Sequence, residues 1–289
     1  MLKTILVPTS GSGTDDAVHA TALALARPLA AHLEFYHVRL TPDEAAGRTP
    51  YIGLCVDSAL PAALQNLDET QRALATDAAR HVHTFCERQG IPVRNAPGLE
   101  TSVSASWRQE VDHPESRLLL HARHCDLVVL GRRRHPDLLP RTLIEHLLLG
   151  CGRPIVIAAD TVPASVTDTI VVGWKETPEA ARALTAAMPL LALARQVYLV
   201  GIAEADASLI QSLEHLAWQL AWHGIAAQTR IIGGPAHRAA EELPKAAAEL
   251  KAGLLVVGGF GRGPISEFVF GGVTRSLIDR ADLPVFILH

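Results

Sequence analysis

The amino-acid sequence contains one order of elements twice, and this repeat constrains the fold more than any other feature. Residues 4–8 (TILVP) open the first copy, and residues 169–173 (TIVVG) open the second. An Ala- and Leu-rich segment follows each of them, at 15–31 and at 178–195. Further apolar segments match in pairs: 33–38 with 197–202, 90–93 with 224–227, 126–131 with 253–258, and 153–157 with 283–287. The chain is therefore predicted to be a diverged tandem duplication.

Each copy predicts a domain of its own, at residues 1–160 and at residues 166–289. Continuous apolar strands that alternate with helices are typical of a parallel sheet that helices cover on both faces. The predicted fold class is α/β, with two tandem doubly wound parallel-sheet domains. Ligands of such sheets bind beyond the carboxyl ends of the strands, where the strand order reverses. We expect the functional residues to follow the strands directly.

The two copies differ in length at three places. The first copy has about 30 extra residues in the region 41–70, between its second strand and its second helix. It also has about seven extra residues around 107–116, and it lacks about three in the loop after Gly131. These differences place the predicted insertions between the elements that both copies share.

Charge and hydropathy exclude two classes of partner. The formal net charge of −4 is shared evenly by the halves without a basic stripe, so nucleic acid is not expected as a partner. The longest apolar runs have about half of the ~20 residues that a membrane-spanning helix needs, and the N-terminal apolar stretch is too short for a signal peptide. The four cysteines are scattered without a C-x-x-C pair, as in reduced cytosolic proteins. We predict a cytoplasmic protein that does not bind membranes.

A glycine-rich segment follows the fourth strand of the second copy. Residues 258–275 read GGFGRGPISEFVFGGVTR; Gly258 and Gly261 are spaced as G-x-x-G, and nine residues separate Gly261 from the pair Gly271 and Gly272. Glycine lets the backbone approach a ligand closely, and free amides at a helix N-terminus attract anions. A hydroxyl and two positive charges accompany the glycines, at Thr274, Arg262 and Arg275. The segment predicts a phosphate site; an ordinary glycine-rich turn is the alternative interpretation.

The sequence resembles the universal stress protein (UspA-like) family in three features: the spacing G-x-x-G-x9-G-G, the V-T that follows it and the closing P-V-F-I strand. The resemblance covers nearly the whole chain twice, as in tandem members, and includes GWKETPEAARA at 173–183. It implies adenine-nucleotide α-hydrolase-like, Rossmann-like domains and a role in a bacterial-type stress response. It also implies that the last strands, at 154–158 and 284–288, pair across a pseudo-two-fold axis within one chain. Such an intrachain pseudo-dimer could associate further as a homodimer.

The resemblance also implies a ligand and its site. In nucleotide-binding members of that family, ATP lies across the carboxyl edge of the sheet with its phosphates on the glycine-rich loop; magnesium would accompany it. Carried over by position, the second copy offers one group of residues to the phosphates and the ribose: Gly258, Gly261, Arg262, Gly263, Gly271, Gly272, Val273 and Thr274. A second group would line the base: Gly173, Trp174, Lys175 and Ile202.

Several positions depart from the family pattern. Gly272 stands where the family usually has Ser or Thr, and Lys175 stands where it usually has an acidic residue near the adenine. The first copy departs further, because Arg141 and Thr142 occupy the positions of the glycine pair. We therefore predict a nucleotide site in the second copy only. The basic triplet 132–134 either binds another anion or forms a solvated loop.

The remaining patterns predict neither a dinucleotide loop nor a metal site. Residues 11–16 (GSGTDD) lack the third glycine of a dinucleotide-binding loop, so we expect Ser12 or Thr14 to cap a helix. Two histidines and a cysteine would share one helix face without a second cluster of zinc ligands, at His121, His124 and Cys125.

The sequence contains no Walker A loop, no nucleophile elbow and no H-E-x-x-H motif. Trp218 and Trp222, one helical turn apart, are predicted to serve in packing or in an interface. We expect a non-catalytic or weakly ATP-hydrolysing protein that binds adenine nucleotides. The alternative is a nucleotide-free interaction scaffold of the same fold, which Lys175 and the altered loop of the first copy favour.

Overall fold

The computed structural model describes residues 1–11, 15–41, 60–98, 102–132, 143–203, 207–259 and 272–289. Its strands are β1 (Thr4–Pro8), β2 (His32–Arg39), β3 (Ser104–Val111), β4 (Leu127–Leu130), β5 (Ile155–Ile157), β6 (Thr169–Trp174), β7 (Gln196–Ile202), β8 (Ala227–Ile232), β9 (Leu254–Gly258) and β10 (Val285–Leu288). Its α-helices are α1 (Asp15–Leu29), α2 (Leu60–Gln89), α3 (Pro114–Ala122), α4 (Leu143–Gly150), α5 (Pro178–Leu191), α6 (Ala207–Ala221), α7 (Ala239–Glu249) and α8 (Gly272–Arg280). Strands and helices alternate as the repeat predicts.

The described strands form one sheet in the order β3-β2-β1-β4-β5-β10-β9-β6-β7-β8. Strands run parallel within each half, and the order reverses between β1 and β4 and between β6 and β9. The halves meet where β5 and β10 run antiparallel, with Val156 opposite Phe286. The predicted α/β fold class is confirmed, as is the predicted pairing of the last strands within one chain.

The strands are apolar because helices cover both faces of the sheet. In β4 every residue is buried, and alternate side chains enter opposite cores: Leu127 and Val129 enter one, and Val128 and Leu130 enter the other. Each core contains residues of both halves, so the pseudo-dimer is packed as one body. Within the described segments, no helix has the length and apolar character needed to cross a membrane.

The repeated Gly-Ile segments at 90–93 and 224–227 were predicted as third strands, but they precede those strands, and only Ala227 belongs to one. Gly90 directly follows α2 and Gly224 lies three residues after the end of α6, with φ of +64° and +74°. The amide of each following isoleucine donates a hydrogen bond to a carbonyl group five residues earlier, and both isoleucines are buried. The repeat therefore marks a helix C-terminus, where glycine adopts the left-handed conformation without a clash of Cβ.

The third strands begin later, at Ser104 in the first half and at Ala227 in the second. The first half therefore carries extra residues before β3, and the insertion predicted around 107–116 is wrong. The cause is physical: β3 and β8 are the edge strands of the sheet, and exposed polar residues interrupt them. They lack the continuous apolar run that identifies a strand buried on both faces.

The insertion predicted at 41–70 is partly helical. Helix α2 has 30 residues, whereas its counterpart α6 has 15; residues 42–59 lie outside the described segments. The added N-terminal part of α2 reaches the carboxyl edge of the first half, where Arg39 forms a 2.9 Å ion pair with Asp68. A Cβ on Gly11, in the loop after β1, would lie 2.8 Å from the carbonyl oxygen of Leu74. Helix α2 therefore packs against the edge at which a ligand of this half would bind.

Candidate functional site

A cleft of about 610 Å³ opens at the carboxyl edge of the second half of the sheet. The ends of β6, β7 and β9 form its floor, because neighbouring parallel strands end at the same edge. Helices α5, α6, α7 and α8 supply its walls. The volume falls within the roughly 300–1,000 Å³ that is typical of small-molecule sites. The cleft lies where doubly wound sheets bind their ligands.

Seven of the twelve residues predicted for nucleotide binding line this cleft: Gly173, Trp174, Lys175, Ile202, Gly258, Val273 and Thr274. Gly272 begins α8. The other four lie outside the described residues: Gly261, Arg262, Gly263 and Gly271. The fold thus brings the residues predicted for the base to the same cleft as the first turn of α8.

Gly258 is required by packing at the floor of the cleft. A Cβ at this position would lie 2.5 Å from the amide nitrogen of Ala180 and 2.8 Å from its Cα. Both are backbone atoms of the first turn of α5, so they cannot move aside as the end of a side chain can. Gly173 is less constrained, because a Cβ there would meet the side chains of Leu243 and Val257. Gly258 therefore lets β9 end directly against α5.

The N-terminus of α5 faces the cleft and is built by its local sequence. Thr177 is the N-cap, and its hydroxyl oxygen accepts a 3.3 Å hydrogen bond from the amide of Ala180; Pro178 follows. Burial raises the pKa of Glu179, but hydrogen bonds from its own amide and from Thr177, together with Arg182, outweigh burial and hold the pKa below its usual range. An ionised carboxylate of α5 therefore already lies at the positive end of this helix.

Trp174 and Lys175 extend from the end of β6 to the mouth of the cleft. The indole Nε1 donates a 2.9 Å hydrogen bond to Oγ of Ser212 on α6, which fixes the orientation of the half-buried ring. The amide of Thr177 donates a 2.7 Å hydrogen bond to the Lys175 carbonyl, so the turn is tight. The Lys175 side chain is exposed and has no acidic partner in the described part of the chain. A fixed aromatic ring and an unpaired cation flank the entrance.

The sequence did not predict the wall that follows β7 and β8. The N-terminus of α6 contributes Leu209 there, and Gly234 and Pro235 follow β8. Gly234 has a φ of +143°, which favours glycine. The Gly-Gly-Pro turn is the signal that could have identified this wall. The wrong placement of the third strand at 224–227 separated the turn from the sheet edge.

Backbone contacts close the loop after β1 in the first half. The Asp15 carboxylate accepts hydrogen bonds from the amides of Ser10 (2.9 Å) and Gly11 (2.7 Å) and from the Ser10 hydroxyl (2.9 Å). Burial raises the pKa of Asp15, and these hydrogen bonds oppose the rise. Ser12 and Thr14, the predicted helix caps, lie outside the described residues. Asp15 is engaged with its own loop.

Arg132, the one residue of the basic triplet 132–134 that the structure describes, binds backbone groups of the second half. Its guanidinium donates hydrogen bonds to the carbonyl oxygens of Leu277 (3.2 Å), Ile278 (2.8 Å) and Leu283 (2.9 Å) in the second half. Arg132 is partly buried, and these three carbonyl groups make it part of the contact between the halves rather than a wholly solvated side chain. The other two arginines of the triplet lie outside the described residues.

His121 and Cys125 have protein partners in the first half. The Nε2 atom of His121 lies 3.3 Å from the Glu110 carboxylate, and its ring packs on Tyr36 with centroids 4.3 Å apart. The Cys125 thiol lies 3.8 Å from the Glu34 carboxylate, and burial raises its pKa to about 12. No group of three or more His, Cys, Asp or Glu side chains in the described segments could hold a metal ion.

Trp218 and Trp222 lie on the outer side of α6. Their rings form a T-shaped pair with centroids 5.6 Å apart, and the residues are 65% and 74% exposed. The two rings therefore pack against each other outside the buried core. A role in an interface stays a prediction.

The comparisons with known proteins agree with this fold. A model of the universal stress protein family matches residues 1–150 and 167–289. A search of curated proteins finds no match. A solved universal stress protein from Archaeoglobus fulgidus is similar over 99% of this chain and 97% of its own, with 18% identity and a TM-score of 0.70. A functionally unknown protein from Pseudomonas aeruginosa is similar over 99% and 92%, with 18% identity and a TM-score of 0.56.

Proposed function

The chain belongs to the universal stress protein family, and on that premise we propose that its second half binds an adenine nucleotide, ATP with magnesium. One observation carries the proposal. Three strand ends and the N-termini of α5 and α8 converge on one cleft of about 610 Å³. Such a cleft combines an apolar floor with donors for an anion at one side.

The apolar part of the cleft suits a purine base. Val200, Ile202 and Val257 line its floor, and Leu243 lines the wall from α7. The indole N–H of Trp174 already has a partner, so the ring offers an apolar surface to a planar ligand. These contacts support the base side that the family resemblance implies.

The N-terminus of α8 suits the phosphates better than that of α5 does. The ionised Glu179 carboxylate already stands in the first turn of α5 and would repel a second anion. Val273 and Thr274 belong to the first turn of α8 and line the cleft. The exposed ammonium of Lys175 adds a positive charge at the mouth. The phosphates, with their magnesium ion, should therefore point toward α8.

The proposed role is binding rather than catalysis. Among the described residues that line the cleft, Glu176 is the one carboxylate, and no histidine occurs. General acid–base chemistry needs titratable groups placed at the reacting atoms. We expect weak ATP hydrolysis at most, with a stress-related role exerted through the bound nucleotide.

A nucleotide-free interaction scaffold is the second candidate. The exposed pair Trp218 and Trp222 favours it, because tryptophan is enriched at protein interfaces. Under this alternative, Lys175 replaces the family's acidic residue because no base needs to be recognised.

Calorimetric titration of the full chain with ATP and Mg²⁺ separates the two candidates. ATP should bind, and at a hundredfold excess over Kd it should stabilise the protein by about 3 kcal/mol, seen as a rise in Tm. Gly271→Asp should abolish binding, because it adds bulk and negative charge at the phosphate loop. Arg141→Asp, the aligned position of the first copy, is the matched control and should bind normally. Unchanged affinity in Gly271→Asp would place the site elsewhere, and no binding by the wild type would favour the scaffold.

A further inference from the structure

Arg132 links the first half to α8, the helix that carries the proposed phosphate contacts. Its Nη1 donates to the carbonyl oxygens of Leu277 and Ile278, at 3.2 and 2.8 Å, and its Nη2 donates to that of Leu283 at 2.9 Å. Carbonyl groups in the last turn of a helix lack most of their intrahelical partners, and they attract cations. One side chain of the first half therefore holds the C-terminal end of α8.

The repeat shows that this contact is specific to one half. Gly131 follows β4 and matches Gly258 at the end of β9. The next residues, Arg132 and Gly259, are therefore equivalent positions of the two copies. Both positions approach the last helix of the opposite half: a Cβ on Gly259 would lie 3.5 Å from Cδ2 of Leu148 on α4. The glycine offers only close packing there, whereas the arginine donates three hydrogen bonds. Of these two equivalent positions, only 132 places a guanidinium against the last helix of the opposite half.

The held end of α8 is close to the cleft. The buried side chain of Leu277 lines the cleft, while the carbonyl group of the same residue accepts from Arg132. Val273 and Thr274 lie one turn earlier and line the cleft as well. The whole helix has nine residues and is about 14 Å long, so its two ends are only about two and a half turns apart. A shift at Leu277 would therefore move the first turn.

We infer that Arg132 is a positioning residue for the nucleotide site, and this inference rests on the proposed function of the second half. The first copy has Arg141 and Thr142 in place of the glycine pair, and its Arg132 holds α8 of the second copy. Arg132 fixes the height of α8 above the sheet, and hence the place of the Val273 and Thr274 amides relative to the phosphates.

Arginine variants of the full chain test this inference by calorimetry with ATP and with adenosine. Arg132→Ala should weaken ATP binding by at least about fivefold, because α8 loses its position, and should leave adenosine affinity within about twofold. Arg132→Lys should recover part of the loss, since an ammonium donates to some of the carbonyl groups but lacks the fork. The matched control is Arg123→Ala: Arg123 donates to the Gly150 carbonyl at 3.2 and 3.1 Å, at the end of α4 within the first half. It should lower Tm without changing the ratio of ATP to adenosine affinity.

Hydrogen exchange of α8 keeps this inference separate from the proposed function. Amides in Gly272–Arg280 should exchange faster in Arg132→Ala than in the wild type and in Arg123→Ala, with or without nucleotide. An ATP-to-adenosine ratio that stays at the wild-type value in Arg132→Ala would overturn the positioning role. If the wild type binds neither ligand, the proposed function fails; unchanged exchange in α8 would then overturn the role of Arg132 in holding this helix as well.

Discussion

His19 should make the first half sensitive to mild acid. Its ring packs against Phe35 and Phe85, with centroids 4.8 and 5.4 Å away, and its Nε2 lies 3.2 Å from the hydroxyl of Thr9. That hydroxyl donates to the carbonyl of Val7, so it accepts from His19, and the proton of the neutral ring resides on Nε2. The Nδ1 atom is buried without a hydrogen-bond partner in the described part of the chain. A second proton would therefore create an unpaired buried charge.

The size of the effect follows from the pKa. Burial, and to a lesser extent the charge of His81, lowers the pKa of His19 from 6.5 to about 4. The unfolded chain then binds the proton more readily than the folded chain, so stability falls as the pH drops below 6.5. This group alone should remove about 2 kcal/mol between pH 7.5 and pH 5, and about 3 kcal/mol below pH 4. His37, whose pKa burial also lowers, acts in the same direction.

Urea denaturation at pH 7.5 and at pH 5 measures this loss in the wild type and in His19→Gln. Carboxyl groups with ordinary pKa values near 4 titrate little in this interval, so histidines dominate the difference. The glutamine amide can donate to Thr9 but cannot titrate, so the variant should lose about 2 kcal/mol less than the wild type on acidification. His223→Gln is the matched control, because His223 is exposed and its surroundings change little on unfolding. An equal loss in the wild type and in His19→Gln would refute the reasoning.

Three further predictions concern the second half and the first strand. The affinities of the wild type for ATP and GTP should differ by no more than about tenfold, or ~1.4 kcal/mol. Lys175→Asp should increase the preference for ATP, because a carboxylate accepts hydrogen bonds from the base. If calorimetry shows that the wild type strongly prefers ATP, Lys175 does not lie beside the base. Gly258→Ala should lower the free energy of unfolding by about 1–3 kcal/mol, because the methyl group meets the backbone of Ala180, whereas Gly233→Ala enters open space and should unfold in urea as the wild type does. Asp126→Asn should lower the free energy of unfolding by about 1–2 kcal/mol at neutral pH, because the carboxylate accepts hydrogen bonds from two backbone amides at the start of β1. Burial raises the pKa of Asp126, but these hydrogen bonds outweigh burial and hold the pKa below its usual value. The difference in stability between the variant and the wild type, measured in urea, should therefore shrink below pH 3.8.

The central strands could be predicted from the sequence because burial on both faces requires continuous apolar residues. Strands β1, β4, β6 and β9 have this pattern, and their predicted positions agree with the structure to within a few residues. The edge strands β3 and β8 could not be located, because solvent contact permits polar residues such as Arg108 and Gln228. The Gly-Ile segments are equivalent in the two copies, but a glycine can end a helix as well as form a turn before a strand. Periodicity alone does not distinguish these two uses.

The site could be predicted in part for a related reason. Residues that end the central strands, such as Trp174 and Ile202, lie at the cleft because the sheet topology puts them there. The wall that follows β8, with Gly234, Pro235 and α7, depended on the position of β8, which the sequence misplaced. The partners of Arg132 could not be predicted, because no sequence pattern indicates which carbonyl groups a guanidinium of another repeat will meet.

The antiparallel contact of β5 with β10 lies within one chain, so dilution cannot separate its two sides. Between separate subunits, a pairing of three residues from each strand would depend on protein concentration, and every substitution would appear on both sides of the axis. Here residues 158–168 connect β5 to β6 and so join the two halves, which gives β10 an effective concentration at β5 of the order of millimolar or above. One copy can therefore abandon a ligand and still remain a permanent partner. That freedom allows an arginine at 132 where the equivalent position of the second copy is a glycine, Gly259, a difference that two identical chains could not have.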